Sequence, residues 1–247
     1  MMDETATVVP PLVAENHPGI EARFVKIDRG GDGLRAYFAA PVLAGDALPS
    51  IVLAMHLSGV DTEQRATARR FAKAGFATLI PDLYARFDAP DSDAVTDASA
   101  FLPFAKQLGP ETVDPDIRAA ATWLRSRYQT GKIAIAGFCM GGRMAMRRTS
   151  GHADTFAAAA FWYGFSPDVD PSRVDIPFVA SYGADDVHIP VADIEAFTRH
   201  APVVSDVKIY PHAGHAFFDY RGAAYDPVAA ADSWDRTIVF LSEHLKT

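Results

Sequence analysis

One cysteine occupies a position in this chain where a thiol could act as a nucleophile. The 247 residues include a single cysteine, Cys139, within the stretch GFCMGG, where an apolar strand pattern gives way to a helical one. A nucleophile between two glycines on a strained strand-to-helix turn points outward above the sheet, and the start of the helix favours a thiolate. The glycines meet a steric demand, because a side chain two positions away would collide with the turn. The structural alternative is a buried cysteine that acts only as a small apolar residue.

The chain also contains a base and an acid that could serve this thiol. A thiol is mostly protonated at neutral pH, so it needs a base to accept its proton. His215 follows the apolar run DVKIY, where Gly214 would let the backbone turn sharply, and Asp185 and Asp186 follow the run PFVASY. Histidine and paired aspartates can also serve only to form turns. However, the order Cys, Asp, His along the chain is the order found in α/β-hydrolases, which supports a catalytic triad.

These side chains require a scaffold that brings strand ends together, and the sequence predicts one. Short apolar runs such as SIVLAMHLSG and KIAIAGF alternate with helical patterns as far as the C-terminus. This alternation is typical of an α/β fold with a mostly parallel central sheet and helices on both faces. The stretches RFVKID and LRAYFAAP, which flank the turn RGGDG, predict an opening hairpin or a pair of edge strands. Functional side chains in such sheets collect at the carboxyl ends of the strands.

The length and patterning of the chain predict a single domain over residues 1–247. No change in composition suggests a linker, and α/β domains of this length are common. Residues 1–25 are predicted to form an N-terminal extension. Residues 87–110 form a long connection with an apolar island, AFLPFA, which either covers a pocket or packs as a surface excursion. Asp61 is the predicted N-cap of a helix that ends at Gly75.

Composition and charge exclude several classes of function. Hydrophobic content of 49% and charged content of 22% are ordinary for a globular protein. The net charge is −8 and no run of Lys or Arg could neutralise phosphates, so we expect no nucleic-acid or membrane partner. The start of the chain lacks a secretory pattern and a lone cysteine requires no oxidising compartment, which predicts a cytoplasmic protein. We expect it to be a monomer or a small homo-oligomer. His212 and His215 lack companion ligands at metal-site spacing, so we expect no metal and no cofactor.

Five short motifs together resemble those of the dienelactone hydrolase family, the carboxymethylenebutenolidases, which are thiol members of the α/β-hydrolase superfamily. The motifs are PDLYAR, GFCMGG, WYG, GADDVHIP and AGHAF, and the likeness runs from about residue 30 to the C-terminus. The resemblance implies a single α/β-hydrolase domain with a triad of Cys139, Asp186 and His215. Asp186 is preferred to Asp185 because it stands four residues before Pro190, where the family motif carries its acid.

The resemblance also implies a mechanism and a substrate class. His215 would take the proton of Cys139, and the thiolate would attack a small ester or lactone to form a thioester that water hydrolyses. The backbone N–H groups of Leu57 and Met140 would form the oxyanion hole. Two alternatives stay open, namely thioester hydrolysis on the same scaffold and a non-catalytic protein that only binds a small molecule.

Two further side chains match substrate-binding positions of the family. Arg86, in PDLYAR, would bind a carboxylate of the substrate, for which the planar guanidinium is suited. Its structural alternative is a salt bridge to Asp82 or to the acidic segment 87–94. Tyr163, in WYG, matches a pocket tyrosine, with a plain core aromatic as the alternative.

The sequence departs from the family pattern at two positions. His56 stands where the family has a glutamate that interacts with the resting thiol, so His56 could hydrogen-bond the thiol, stabilise a thiolate as a cation, or only line the strand end. Asp219 stands where the family has a second arginine for the carboxylate, and it would repel an anionic substrate unless Arg221 compensates. Ester or lactone chemistry is therefore a firmer prediction than dienelactone as the substrate.

Overall fold

The computed structural model describes residues 13–42, 47–128, 132–203 and 205–246. Eight strands form one sheet. In chain order they are β1 (Ile20–Asp28), β2 (Gly33–Pro41), β3 (Ser50–Ala54), β4 (Ala77–Pro81), β5 (Ile133–Phe138), β6 (Ala158–Trp162), β7 (Phe178–Gly183) and β8 (Ser205–Tyr210). The α-helices are α1 (Thr62–Lys73), α2 (Leu102–Ala105), α3 (Pro110–Tyr128), α4 (Met140–Arg147), α5 (Val191–His200) and α6 (Pro227–Leu245).

The sheet has the order β1-β2-β4-β3-β5-β6-β7-β8. Strand β1 pairs with β2 and β2 pairs with β4 in antiparallel fashion, whereas every other neighbouring pair is parallel. Strands β3 and β5 are buried along their whole length, which explains their unbroken apolar sequences. The mostly parallel α/β sheet and the opening hairpin that the sequence predicts are therefore confirmed.

Helices cover both faces of this sheet, as two adjacent residues of β2 demonstrate. Successive side chains of a strand point to opposite faces. The Tyr37 hydroxyl accepts a hydrogen bond from Arg69 of α1 at 2.8 Å, whereas the Phe38 ring packs against Trp123 of α3 with centroids 5.2 Å apart. Helices α1 and α3 therefore lie on opposite sides of the sheet.

Helix α1 begins and ends where the sequence predicts. The Asp61 carboxylate accepts a hydrogen bond from the Gln64 N–H at 2.9 Å, which satisfies one of the free donors at the start of the helix. At the other end Gly75 adopts a left-handed conformation with a φ of +92°. This conformation strains any residue with a side chain, so glycine suits the position.

The boundary predicted for the N-terminal extension is wrong. Residues 20–25 belong to β1, which pairs along its whole length with β2, from Ile20 opposite Pro41 to Asp28 opposite Gly33. Residues 1–12 of the predicted extension lie outside the described residues. Exposed and partly buried residues alternate irregularly along β1, so the sequence pattern does not mark its first residues.

The long connection between β4 and α3 packs against the protein through aromatic rings. Phe101 is fully buried and stacks on Tyr84 with ring centroids 5.8 Å apart, and Phe104 also contacts Tyr84 at 6.2 Å. Phe87 and residues 89–93 line a cavity of about 990 Å³, and none of the predicted triad residues lines it. The segment therefore covers Tyr84 and this cavity. Among the helices of the described residues, none has the length and apolar character needed to cross a membrane.

Candidate active site

The structure brings Cys139, His215 and Asp186 into one hydrogen-bonded row. His215 Nε2 lies 3.2 Å from Cys139 Sγ, and His215 Nδ1 lies 2.7 Å from Asp186 Oδ2. The second oxygen of Asp186 accepts a hydrogen bond from the His188 backbone N–H at 2.9 Å. The Asp186 side chain is fully buried, while a quarter of the His215 side chain is exposed. This geometry is suited to a thiol, a base that takes its proton, and an acid that orients the base.

Sheet topology explains why residues so distant in sequence meet. Cys139 directly follows β5, Asp186 lies just past β7, and His215 lies just past β8. These strands are parallel and separated only by β6, so their carboxyl ends lie at the same edge of the sheet. Neighbouring strands are about 4.8 Å apart, a spacing that short loops can bridge. The geometry of this hydrogen-bonded row thus depends on strand order in the sheet.

The backbone at Cys139 has the strained conformation of a nucleophile elbow. Its φ is 52° and its ψ is −117°, outside the usual regions for a residue with a side chain. The Cys139 N–H donates to the Trp162 carbonyl at 3.0 Å, and the Cys139 carbonyl accepts from the Arg143 N–H at 3.0 Å. These bonds secure the turn to β6 on one side and to α4 on the other, so the surrounding structure maintains the strain.

The glycines on either side of Cys139 leave space for backbone that passes directly over them. A Cβ on Gly137 would lie 2.2 Å from the Gly141 carbonyl oxygen, and a Cβ on Gly141 would lie 2.2 Å from the carbonyl oxygen of Ala54. The neighbouring atoms are backbone atoms that cannot move aside as a flexible side chain could. The start of α4 therefore touches the end of β3, which brings the loop after β3 to the thiol.

Replacing Gly141 with alanine is expected to destabilise the protein by about 1–3 kcal/mol and to displace the thiol. The reason is the overlap of the new methyl group with the backbone at the end of β3. Denaturant unfolding and ester hydrolysis would measure the two effects. Gly222→Ala is the matched control, since a Cβ there makes only an ordinary contact at 3.6 Å. Equal stability of the two variants would contradict the expectation.

The loops that carry the acid and the base are tied to each other. The Asp185 N–H donates to the Ala213 carbonyl at 3.0 Å, and a Cβ on Gly183 would lie 2.1 Å from the same oxygen. The prediction that Gly214 supplies the sharp turn is wrong, because the left-handed φ angles occur at His212 (64°) and Ala216 (63°). Backbone strain in this loop was not visible in the sequence, since neither residue type marks such a conformation.

The charges of the thiol and the imidazole stabilise each other. Burial alone would raise the pKa of Cys139, but the hydrogen bond and charge of His215, with help from the Met140 N–H and from His56, lower it below its ordinary value. Burial alone would lower the pKa of His215, but Cys139 and Asp186 raise it to about 9. Both shifts stabilise a thiolate paired with an imidazolium relative to an isolated thiol and imidazole.

The predicted oxyanion-hole residues flank the thiol on two elements. Met140 is the first residue of α4, where a backbone N–H has no partner within the helix. The peptide that follows β3 is held by Tyr84, whose hydroxyl donates to the Leu57 carbonyl at 2.9 Å and lies 3.9 Å from Met140 Sδ. In the PDLYAR motif the arginine was the predicted functional residue, and this contact of Tyr84 was not predicted.

His56 lies in a buried charged cluster rather than alone at the strand end. His56 Nε2 is 3.1 Å from Asp61 Oδ1, although its N–H is not aligned for a hydrogen bond with that oxygen. Burial would lower the pKa of His56, but Asp61 and Glu63 raise it. His56 in turn acts on Cys139 by lowering the thiol pKa. The carboxylate partners of His56 could not be foreseen from its own position in the chain.

Arg221 and Asp219 complete this cluster. Arg221 Nε and Nη2 donate to the two oxygens of Asp219, each at 3.0 Å, and Arg221 Nη1 lies 2.9 Å from Asp61 Oδ2. Arg221 does reach back toward position 219, but there it binds the aspartate itself. Burial would raise the pKa of Asp61, but His56 and Arg221 lower it to about 2, so this carboxylate is ionised.

Three side chains of the cluster could also act as metal ligands. Within the described part of the chain, a ligand atom from each of His56, Asp61 and Glu63 lies within 4.8 Å of the other two. Imidazole and carboxylate are suitable ligands for a divalent cation such as zinc. However, Arg221 already supplies positive charge to Asp61 from 2.9 Å. The arrangement is therefore explained without a cation.

Arg86 is paired within the protein, and its predicted partners were wrong. Its guanidinium forms an ion pair with Asp116 of α3, whose side chain is completely buried and which also contacts Arg29 Nη1 at 3.2 Å. Asp82 pairs instead with Arg35 at 2.9 Å. The structure thus supports the salt-bridge alternative for Arg86 and does not bring this side chain into the row formed by the triad.

Two aromatic rings hold the imidazole of His215 in place. Tyr163 is buried, has a φ of 36°, and packs its ring edge against His215 with centroids 5.1 Å apart. His188, which is exposed, contacts the same imidazole in a perpendicular arrangement at 5.2 Å. Tyr163 was a predicted site residue, whereas His188 was not predicted, although the GADDVHIP motif contains it. Tyr163 remains a predicted substrate contact.

Comparison with known proteins identifies the relatives of this chain. The model of the dienelactone hydrolase family matches residues 34–245. A candidate carboxymethylenebutenolidase from Yersinia pestis is 33% identical over 244 residues, covering 92% of this chain and 90% of that protein. A candidate carboxymethylenebutenolidase from Salmonella typhimurium is 30% identical over 254 residues, covering 96% and 93%.

A solved structure has the same fold along its whole length. The crystal structure of a candidate dienelactone hydrolase from Klebsiella pneumoniae superposes with a TM-score of 0.79 at 27% sequence identity. The match covers 91% of this chain and 99% of that one. The order of strands and helices described above is therefore shared with that protein.

Proposed function

This chain belongs to the dienelactone hydrolase family, and we propose that it hydrolyses small esters or lactones through Cys139, His215 and Asp186 by way of a thioester. One observation carries the proposal. His215 Nε2 lies 3.2 Å from the thiol while its other ring nitrogen is bound to the buried Asp186. An imidazole held in this way accepts a proton at Nε2 and remains oriented toward the nucleophile.

The proposed reaction has two halves. His215 Nε2 accepts the Cys139 proton, the sulfur attacks the carbonyl carbon, and the carbonyl electron pair moves to oxygen, which the N–H groups of Leu57 and Met140 bind. The intermediate collapses, and the leaving alkoxide takes the proton from His215, which leaves a thioester on Cys139. Water then gives a proton to His215 and attacks the thioester, releasing the carboxylic acid and the thiolate. Asp186 stabilises the imidazolium in both halves.

The test of this proposal is hydrolysis of 4-nitrophenyl acetate by the wild-type protein and by Cys139→Ala. The wild type is expected to release 4-nitrophenolate catalytically and to carry an acetyl group on Cys139 when quenched with acid, which mass spectrometry would detect. Absence of turnover in the wild type, or turnover without any acylation of Cys139, would reject the mechanism.

Reactivity of the thiol separates an enzyme from a non-catalytic binding protein. Because the pKa of Cys139 is lowered, a larger fraction is thiolate at pH 7 than in a free cysteine, and this fraction falls as the pH decreases through that pKa. We expect iodoacetamide to alkylate Cys139 faster than free cysteine at pH 7. In His215→Gln the rate should fall to that of an ordinary thiol. Equal rates for the wild type and free cysteine would favour the binding protein.

A further inference from the structure

The polar groups beside the thiol form one cluster that carries no excess positive charge. We call His56, Asp61, Glu63, Asp219 and Arg221 the acidic cluster. Asp61 and Glu63 are almost completely buried, so solvent does little to screen them. The cluster contains three carboxylates and one guanidinium. With Asp61 and Asp219 ionised, the charges of these five residues cancel when both His56 and Glu63 are protonated, and their sum is negative when either of the two is not.

The acidic cluster lies close enough to the reaction centre to act on it. A Cβ on Gly141, two residues after Cys139, would overlap the carbonyl oxygen of Ala54, two residues before His56. The Asp219 N–H donates to the carbonyl of Ala216, the residue after His215, at 3.0 Å. The charge of His56 also acts on the Cys139 thiol. An acyl group bound at the thiol would therefore meet this cluster. A carboxylate on that acyl group would gain no compensating cation from it.

Arg221 has little capacity left for a substrate carboxylate. Its side chain binds both oxygens of Asp219 through Nε and Nη2, and its third nitrogen binds Asp61. A two-pronged arginine–carboxylate pair is the geometry that a substrate carboxylate would need to reproduce. A substrate carboxylate could bind Arg221 in this two-pronged way only by displacing Asp219, a quarter of whose side chain is exposed, or the buried Asp61.

Arg86 is occupied in the same way. Its partner Asp116 is completely buried, and Arg86 Nε is itself buried without an acceptor in the described part of the chain. Turning this guanidinium toward a ligand would leave the Asp116 carboxylate with Arg29 as its remaining cation. Arg86 and Arg221, the two arginines that the sequence suggested as partners for a substrate carboxylate, are thus paired with aspartates of the protein.

We infer that the acidic cluster makes this enzyme select esters or lactones with uncharged acyl groups and reject those whose acyl group ends in a carboxylate. The inference rests on the proposed function, because it assigns the substrate class of the same site. Asp219 is the specificity-determining residue, since it both adds negative charge and occupies Arg221. Like charges placed together at a binding site disfavour binding.

The test compares mono-4-nitrophenyl adipate with its methyl ester. The two substrates share the reacting ester, the leaving group and the chain length, and differ only in the distal carboxylate. We expect kcat/KM of the wild-type protein to be about 10- to 100-fold higher for the methyl ester. Equal values, or a preference for the acid, would overturn the inference. Failure to hydrolyse either substrate would instead reject the proposed function.

The Asp219→Asn variant tests whether the acidic cluster causes the preference for the methyl ester. Asp219→Asn removes one negative charge and frees donors of Arg221, so it is expected to reduce the preference for the methyl ester by about tenfold. Asp193→Asn, an exposed position on α5, changes the net charge equally and should leave the preference unchanged. An unchanged preference in Asp219→Asn would overturn the role of Asp219. The wild-type comparison requires no variant, so the inference stays testable if Asp219→Asn does not fold.

Discussion

Cys139→Ala is expected to reduce kcat/KM for 4-nitrophenyl acetate by at least about 1,000-fold. The thiol is the group that would form the covalent bond to the acyl carbon, and the chain contains no second cysteine. With alanine at position 139, His215 keeps Asp186 but has no proton to accept from a nucleophile. Steady-state release of 4-nitrophenolate measures the effect.

Two controls make the loss in Cys139→Ala interpretable. The melting temperature of the variant should stay close to that of the wild type, because removing one sulfur from a half-buried site leaves little empty volume. Cys139→Ser should keep the position of the nucleophilic atom but not the reactivity of a thiolate, so an intermediate rate is expected. A Cys139→Ala variant as active as the wild type would remove the thiol from the mechanism.

Asp186→Asn is expected to lower kcat by about 1,000- to 10,000-fold, by analogy with the tautomer effect in serine protease triads. The asparagine oxygen can keep the hydrogen bond from the His188 N–H, which turns its NH₂ group toward His215 Nδ1. Nδ1 must then accept a hydrogen bond, so the proton of the neutral ring moves to Nε2. A protonated Nε2 cannot accept the proton of Cys139.

The neighbouring aspartate provides a matched control for this variant. Asp185 is exposed, and only its backbone N–H bonds to the loop that carries His215. Asp185→Asn changes charge by the same amount at the adjacent residue and should keep at least half of the wild-type kcat. If both variants lose activity equally, the loss comes from the change in net charge, and Asp186 does not set the tautomer of His215.

Local sequence was sufficient to predict the elements of this fold. The unbroken apolar runs of β3 and β5 predict strands buried on both faces, and these are the central strands of the sheet. Asp61 marks the start of α1 because an N-cap depends only on the following three residues. Gly137 of GFCMGG predicts a tight turn because it acts on backbone only four residues away, at Gly141. Each of these signals lies in one short stretch of chain.

Residue types and their order also predicted which groups would meet, but not how they are paired. Cys139, Asp186 and His215 follow three parallel strands, so their approach depends on the order of those strands in the sheet. The choice of Asp186 over Asp185 came from the family motif, because two adjacent aspartates look equivalent in the sequence. The direction of each carboxylate depends on the turn of the loop, which the Ala213 carbonyl helps to hold.

By itself, then, the sequence determined the strand and helix pattern, the nucleophile elbow and the identity of the candidate catalytic residues. Only the tertiary structure decided the partners of the charged side chains: Arg86 with Asp116, Arg221 with Asp219 and Asp61, and His56 with Asp61. The physical reason is the range of the interactions. Propensity and capping act between near neighbours in the chain, whereas an ion pair forms wherever folding buries two opposite charges together, whatever their separation in sequence.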